Sequence, residues 1–277
     1  MLFDLDKCLF IKEPLQKHAG EYYTFYYTGF IFLDGLVSGP ESLIVFDSLL
    51  ENDKSAIRKL HGSFFIIAVH NVNAQVLAFT DNSGMIKAYK YQNFISDSFL
   101  ELINSITVDL HLNYKDLAHF LHFGIHLPDF TFFNEIEVFK RESIVESVNS
   151  RITIQDKNLA PLHEKPVLTM ESFFQSLSIA LKNLNTTVAL SGGFDSRLNA
   201  VFLHPYNLHF RTSLSGKFSN LDYKIAKKVA ARLELPFDFY DHSIENLNLD
   251  FLKTIIAETD GQIDRKSTRL NSSHRIR

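Results

Sequence analysis

The sequence predicts two architectures in succession, α+β followed by α/β. Three observations carry this. Residues 21–91 are rich in aromatic and β-branched residues arranged in short apolar runs. Residues 187–240 alternate strand, helix, strand, helix, strand, which argues for a parallel sheet with right-handed crossovers. Between them, residues 156–166 carry Pro161 and Pro166 and read as a linker.

Bulk composition narrows the classes. With 277 residues the chain has room for two domains, and 45% hydrophobic with 22% charged residues is a globular balance. Phenylalanine is abundant (26) and tryptophan absent, so phenylalanine is expected to carry much of the core. A net charge of −4 gives no electrostatic footprint for nucleic acid. The single cysteine, Cys8, excludes an intramolecular disulfide framework and fits a reducing compartment. No apolar run has the length of a membrane span, and Asp4 and Asp6 precede any hydrophobic stretch, unlike a secretory signal. A cytoplasmic protein without a membrane or nucleic-acid partner is the expectation.

The elements follow in order. Residues 22–27 have strand composition, and residues 29–33 and 63–69 are short enough for buried strands. Residues 44–60 show helical spacing through Ile44, Leu49, Ile57 and Leu60. Residues 71–74 read as a hairpin turn into a strand at 75–80. Residues 114–123 read as a helix with Leu117, Phe120 and Leu121 on one side. His119 and His122 share a face of that helix and invite a metal reading. Gly124 and Pro128 should end the helix before His126, leaving the third ligand without a fixed place, so ordinary histidines are expected. Residues 144–154 alternate as one or two strands. Thr169 should cap a helix whose apolar face is Phe173, Leu177, Ala180 and Leu184. Next come a strand at 187–190, a helix at 198–203 and a strand near 208–214. A helix at 221–233 turns Ile225, Ala226, Val229 and Leu233 inward, and a strand at 237–240 follows.

The chemistry concentrates in Leu190, Ser191, Gly192, Gly193, Phe194, Asp195 and Ser196, which join the first strand of the second part to its helix. Adjacent glycines let the backbone turn tightly and aim N–H groups at an anion. The serines add hydroxyl donors, and the helix N-terminus behind the loop favours phosphate. A bare Asp195 carboxylate would repel phosphate, so its place makes sense if it holds a divalent cation that binds the phosphates. The spacing is not that of the Walker loop, which needs Gly-x-x-x-x-Gly-Lys-Ser/Thr. The plain alternative is a strand–turn–helix with glycine at positive φ.

This string resembles the Ser-Gly-Gly-x-Asp-Ser pyrophosphate loop of enzymes that cleave ATP between the α and β phosphates. Lys59-Leu60-His61-Gly62-Ser63-Phe64-Phe65 is similar to the Leu-x-Gly-x-Phe-Ala-Phe segment of class II glutamine amidotransferases. Asp81, Gly84, Tyr89 and Tyr91 resemble the Arg-Asp-x-x-Gly-x-x-Pro-Leu-Tyr-Tyr segment that follows it, and residues 121–136 are similar to a structural segment near the end of that domain. In this order the motifs resemble the asparagine synthetase family, from about Gly29 to Ile263. The resemblance implies a β-rich layered domain of the N-terminal-nucleophile hydrolase type over residues 1–160. It implies a partial doubly wound parallel sheet of the ATP-pyrophosphatase type over 161–263. It also implies ATP and Mg2+ as cofactors, the metal held through pyrophosphate by Asp195, and adenine held near Ser213, Leu214, Ser215 and Gly216. The reaction implied is ATP-dependent amide formation from a small-molecule or peptide carboxylate through an acyl-adenylate, with ammonia or an amine as nitrogen donor.

Several residues depart from the family pattern. The amidase needs cysteine at a processed N-terminus, but Leu2 is second, and Cys8 would require loss of the residues before it. Phe32-Leu33-Asp34-Gly35 stands where Asn-Gly-Glu is expected, and Thr80 replaces the arginine before Asp81. No glutaminase activity is therefore expected, and Cys8 reads as a small buried hydrophobe. Asp81 beside Asn82 and Ser83 also suits an ordinary turn. Arg197 replaces a second serine, and either reaches a phosphate or carboxylate or lies on the helix surface. Asp222 and Lys224 read as solvated helix residues. Residues 264–277 lose hydrophobic period, turn basic and resemble a translated sequencing adapter, the alternative being a genuine basic tail. The family's Ser-Gly-x-Gly-x-Asp-Glu motif and its lysine are not found. Two other readings remain: a tRNA-modifying pyrophosphate-loop enzyme, and a truncated nucleotide-binding fragment without catalysis.

Overall fold

The computed structural model of the chain describes residues 1–12, 14, 16–73, 75–123, 126, 129–159, 169–206, 210–216, 220–241, 249–250, 253–254 and 256. The chain forms two compact units. One takes in Met1–Leu33 and Ser38–Lys165, the other Asp34–Val37 and Pro166–Ile255. The basic tail at 264–277 and most of the expected linker lie outside the described residues.

The first unit is built on two antiparallel sheets. Strands β1 (Leu2–Asp4), β2 (Leu9–Lys12), β3 (Gln16–Ala19) and β4 (Tyr23–Phe32) open the chain. Next come α1 (Pro40–Asn52), β5 (His61–His70), β6 (Val76–Thr80), β7 (Tyr89–Tyr91), β8 (Phe94–Ser96), α2 (Phe99–Ser105) and α3 (Tyr114–Phe123). The unit closes with β9 (Glu137–Val138), β10 (Ser143–Val148) and β11 (Arg151–Asp156). One sheet has the order β2-β1-β8-β7-β9, the other β11-β10-β6-β5-β4-β3.

Period-two alternation decides what each face covers. Phe65 and Ile67 of β5 and Ala78 of β6 meet Phe3 of β1 and Ile95 of β8 in one core between the sheets. The opposite side of the six-stranded sheet packs on α1, where Phe46 touches Phe25 and Phe79 at 5.7 and 6.3 Å between ring centres. Beyond the five-stranded sheet, Phe99 and Leu102 of α2 pack on Leu2, Tyr89 and Tyr91. The result is helix, sheet, sheet, helix, with phenylalanine as the main filler.

The residues expected as two strands at 22–27 and 29–33 form the single ten-residue β4. Gly29 within it has φ +104, and a Cβ there would lie 2.1 Å from the Ser63 carbonyl oxygen. Gly62 opposite has φ +125, and its Cβ would lie 2.0 Å from the Phe30 oxygen. Only glycine allows this close strand approach, so β4 runs on where sequence pattern suggests a break. The helix expected at 44–60 instead begins at Pro40, ends at Asn52, and is followed by a 3-10 turn at Lys54–Lys59. Asp53 causes the split, its side chain accepting the Ser55 amide at 2.8 Å and restarting the chain. The alternation at 144–154 resolves into β10 and β11, joined by Asn149 and Ser150 at φ 50 and 61, a left-handed pair suited to a tight hairpin.

Helix α3 has the expected bounds, and of its expected face Phe120 packs on Phe132 and Leu117 is half-buried, while Leu121 turns out. Leu121 is 74% exposed, and the buried residue is Asp116. His126 is held after all: its Nδ1 lies 2.5 Å from Asp116 Oδ2, and its ring sits against Phe120 and Phe132. His119 and His122 each pack on Phe123, and no metal-binding cluster occurs among the described residues.

In the second unit, α4 (Met170–Leu181) is capped by Thr169, whose side chain accepts the Ser172 amide. Of the expected face, Ala180 is buried and Leu177 packs beside Phe174, whereas Phe173 is 48% exposed and Phe174 and Ser178 are buried in addition. Phe174 stacks on Phe202 at 5.1 Å, and that contact sets the rotation. Strands β12 (Thr186–Ala189), β13 (Phe210–Gly216) and β14 (Phe237–Asp241) form a parallel sheet in the order β12-β13-β14. Helices α5 (Phe194–Leu203) and α6 (Leu221–Arg232) make the two crossovers. Leu190, Ala200, Ala226 and Ala230 form a core with Val229, Leu233 and Phe237 at its edge.

Lys157 falls within the stretch expected as linker, yet it is 3% exposed and its Nζ donates to the Thr80 carbonyl at 2.6 Å. Burial pushes its amine down to about 8, with Asp81 and Glu142 pulling the other way. Below that pH the amine is charged in both folded and unfolded chains. Between about 8 and the ordinary lysine value the unfolded chain holds the extra proton, so stability rises with pH. Urea midpoints should therefore increase from pH 8 to 10, and Lys157→Gln should remove that part of the slope.

Candidate functional site

The loop between β12 and α5 is a self-closed turn. Leu190 is fully buried and extends the strand, its amide donating to the Ser213 carbonyl at 2.8 Å. The Ser191 amide donates to Ser196 Oγ at 3.0 Å, and the two serine hydroxyls lie 2.9 Å apart. The Gly193 amide donates to Ser191 Oγ at 3.1 Å. Two serines five residues apart thus bind the start of the loop to the first turn of the helix.

Helix α5 starts at Phe194, not near Leu198 as the sequence suggests. Phe194, Asp195, Ser196 and Arg197 therefore lie in its first turn. Asp195 and Ser196 are good first-turn residues, and Gly193 at φ −71, ψ 157 serves as N-cap. Gly193 offers no side-chain cap. By helix geometry the first-turn amides lack intrahelical partners, so those of Phe194 and Asp195 point out of the helix end as donors.

This changes which amides face an anion. The sequence suggests the two glycine amides. In the structure these are satisfied internally, Gly193 by Ser191 and Gly192 by Asp222 Oδ1 at 3.1 Å. The donors left for an anion are the first-turn amides and a serine hydroxyl proton. Neither glycine has left-handed φ. Gly192 is required by crowding instead: a Cβ there would lie 2.4 Å from Asp222 Oδ1 and 3.2 Å from Asp222 Cα. Asp222, expected as a solvated helix residue, is thus part of the loop's surroundings.

Around this turn stand two charges of opposite sign. Asp195 is exposed in the first turn of α5. The Arg197 Nε donates to the Gly193 carbonyl at 3.1 Å, so its guanidinium folds back along the loop instead of extending over the helix.

Ser213, Leu214, Ser215 and Gly216 form the end of β13. Pairing with β12 stops at Ser213, opposite Ala189, while pairing with β14 continues to Gly216, opposite Asp241. Residues 214–216 thus project past β12, and their edge toward it lies alongside the chain leaving Leu190. Both features sit at the carboxyl ends of parallel strands, where open α/β sheets bind ligands.

The amidase-like residues of the first unit come together differently. Cys8 sits in the turn between β1 and β2 at φ 50, half-buried, with Sγ 3.5 Å from the Leu5 carbonyl oxygen. It is a turn residue resting on the core edge, not the buried hydrophobe expected. Leu33 is buried and its amide donates to Ser42 Oγ at 3.0 Å. Asp81 is 1% exposed and fully engaged: its oxygens accept the amides of Ser83, Met85 and Ile86, each at 3.0 Å. It anchors the 82–86 turn.

No family model matches the chain, and no curated protein matches it. Among solved structures, the chain is similar at 16% identity to glutamine-dependent NAD+ synthetase from Acinetobacter baumannii in complex with adenosine diphosphate. The match covers 74% of this chain and 52% of that one, so the chain spans about half of that structure's length. Its TM-score is 0.25, too low to carry an argument.

The two glycines should differ under substitution. Gly192→Ala drives a methyl into Asp222, whereas a Cβ on Gly193 meets only Ser191 Oγ at 3.2 Å. Gly192→Ala should cost about 1–3 kcal/mol, the usual range for overpacking, and Gly193→Ala clearly less. Urea denaturation of the two variants measures the difference.

Proposed function

We propose that residues 190–196 clamp the pyrophosphate of ATP in an ATP-dependent, amide-forming ligase of asparagine-synthetase type. The observation that carries this reading is the Ser-Gly-Gly-Phe-Asp-Ser turn at the carboxyl end of a parallel strand, its hydroxyls locked together and the uncapped first turn of α5 behind it. Amides at a helix start, a serine hydroxyl and the Arg197 guanidinium suit a phosphate group. The ligand Asp195 offers to Mg2+ is an exposed carboxylate oxygen beside those donors, a hard ligand that fits this metal. When bound, the metal would supply charge neutralisation on the phosphate oxygens.

In this reading a substrate carboxylate oxygen attacks the α-phosphorus of ATP. The bond from that phosphorus to the bridging oxygen breaks, and pyrophosphate leaves with the electron pair. The helix-start amides and the loop hydroxyls stabilise the negative charge that develops on it. Ammonia or an amine then attacks the acyl carbon and AMP departs. Residues 214–216 would flank the adenine. The acceptor is a small-molecule or peptide carboxylate. Free ammonia or an amine is favoured as the nitrogen source, because Cys8 lies in a turn with its thiol against Leu5.

ATP–pyrophosphate exchange with a panel of carboxylates tests the reading. Exchange that needs one acceptor is expected of a protein in which this chain is joined to the second magnesium motif and the lysine that the resemblance calls for, and these residues alone are expected to be inactive. Asp195→Ala should lower that exchange by roughly 100-fold or more while the thermal midpoint holds, since the side chain is exposed. Undiminished exchange in that variant would remove the loop from the chemistry.

A further inference from the structure

The contact between α6 and the loop calls for a role. Asp222 is the second residue of α6, where a carboxylate is favoured by the helix dipole. Its own amide donates to the side chain of the N-cap Asn220 at 3.1 Å, which holds the first turn in place. From there Oδ1 accepts the Gly192 amide across thirty residues of sequence. A Cβ at Gly192 would meet Asp222 Oδ1 at 2.4 Å, Asp222 Cα at 3.2 Å and Ile225 Cδ1 at 3.3 Å, so a side chain there would displace the carboxylate. A carboxylate on a loose side chain would need no such backbone approach. The packing says the loop is seated on the helix.

We propose that Asp222 is a positioning residue: it pins the Gly192 amide and so fixes the shape in which the loop presents the first-turn amides of α5. Its bearing on nucleotide rests on the phosphate reading of that loop. Without the pin, the Gly192 peptide is free to rotate. The Ser191–Ser196 closure then loses its fixed starting point, because Gly193, which donates to Ser191 Oγ, is the next residue. Asparagine at 222 keeps an oxygen acceptor in place, whereas alanine removes it.

Amide exchange of Gly192 by NMR reads the pin directly, and titration with Mg·ATP reads its consequence. In the full chain, Asp222→Ala should speed Gly192 exchange and weaken Mg·ATP binding, each by about tenfold or more, as expected for a lost hydrogen bond to a charged group. Asp222→Asn should fall between alanine and the wild type in both, closer to the wild type, since it keeps the acceptor oxygen but not the charge. A merely structural loss would lower both variants alike and would not be rescued by asparagine. If Asp222→Ala does not fold, Asp222→Ser, too short to reach Gly192, takes its place. Unchanged Gly192 exchange in Asp222→Ala would overturn the proposal. Tighter Mg·ATP binding in that variant would also overturn it, by making the carboxylate a competitor for the phosphate. Protection of Gly192 that depends on Asp222, without any Mg·ATP binding by the wild type, would support the pin and overturn the phosphate reading.

Discussion

The second unit turns on one constraint: the peptide groups between β12 and α5 must be satisfied while the chain reverses from strand to helix. Ser196 meets this by reaching back to the Ser191 amide and hydroxyl. A hydrogen bond of this kind is worth about 1 kcal/mol net, and the Ser191 amide it satisfies is partly buried. The closure uses the loop's own amides, so the groups left over are those at the start of α5. The amides of Ser191, Gly192 and Gly193 are therefore satisfied, and the loop still leaves donors at the helix start.

In the first unit, carboxylates do comparable work away from any chemistry. Asp47 accepts the amides of Tyr22 and Tyr23 at 2.9 and 2.8 Å, Asp81 those of the 82–86 turn, and Asp4 those of Asp6 and Lys7. All three are at most 3% exposed. A buried carboxylate is tolerable when several N–H groups converge on it. Each of these acids fixes a chain reversal next to a phenylalanine-filled core. These three acids are thus read more simply as turn anchors than as catalysts.

Much of this was legible in the sequence. The β-α-β-α-β alternation of residues 187–240 gave the parallel order, and the Thr169 cap and the bounds of α3 were readable from local residues. What escaped has physical causes. Strands β1, β2 and β3 are three or four residues long and take their form from partners distant in sequence. The start of α5 was placed late because Asp and Ser look like loop residues, though both suit a first helical turn. On α3 and α4 the expected faces hold only in part, because a tertiary contact, Asp116 with His126 or Phe174 with Phe202, draws in a residue that local periodicity does not mark. For Asp222, the spacing to Gly192 is long-range, and only the fold brings them together. Lys157 was hidden likewise, since nothing local signals that its chain end tucks under Thr80.

The proposed nucleotide function stands or falls on whether the start of α5 receives phosphate. Amide chemical shifts of the full chain during titration with Mg·ATP test it most directly. Saturable shifts centred on Phe194, Asp195 and Ser196 are expected, with smaller ones at residues 214–216. Saturable binding that leaves these amides unmoved, or no binding at all, would contradict it.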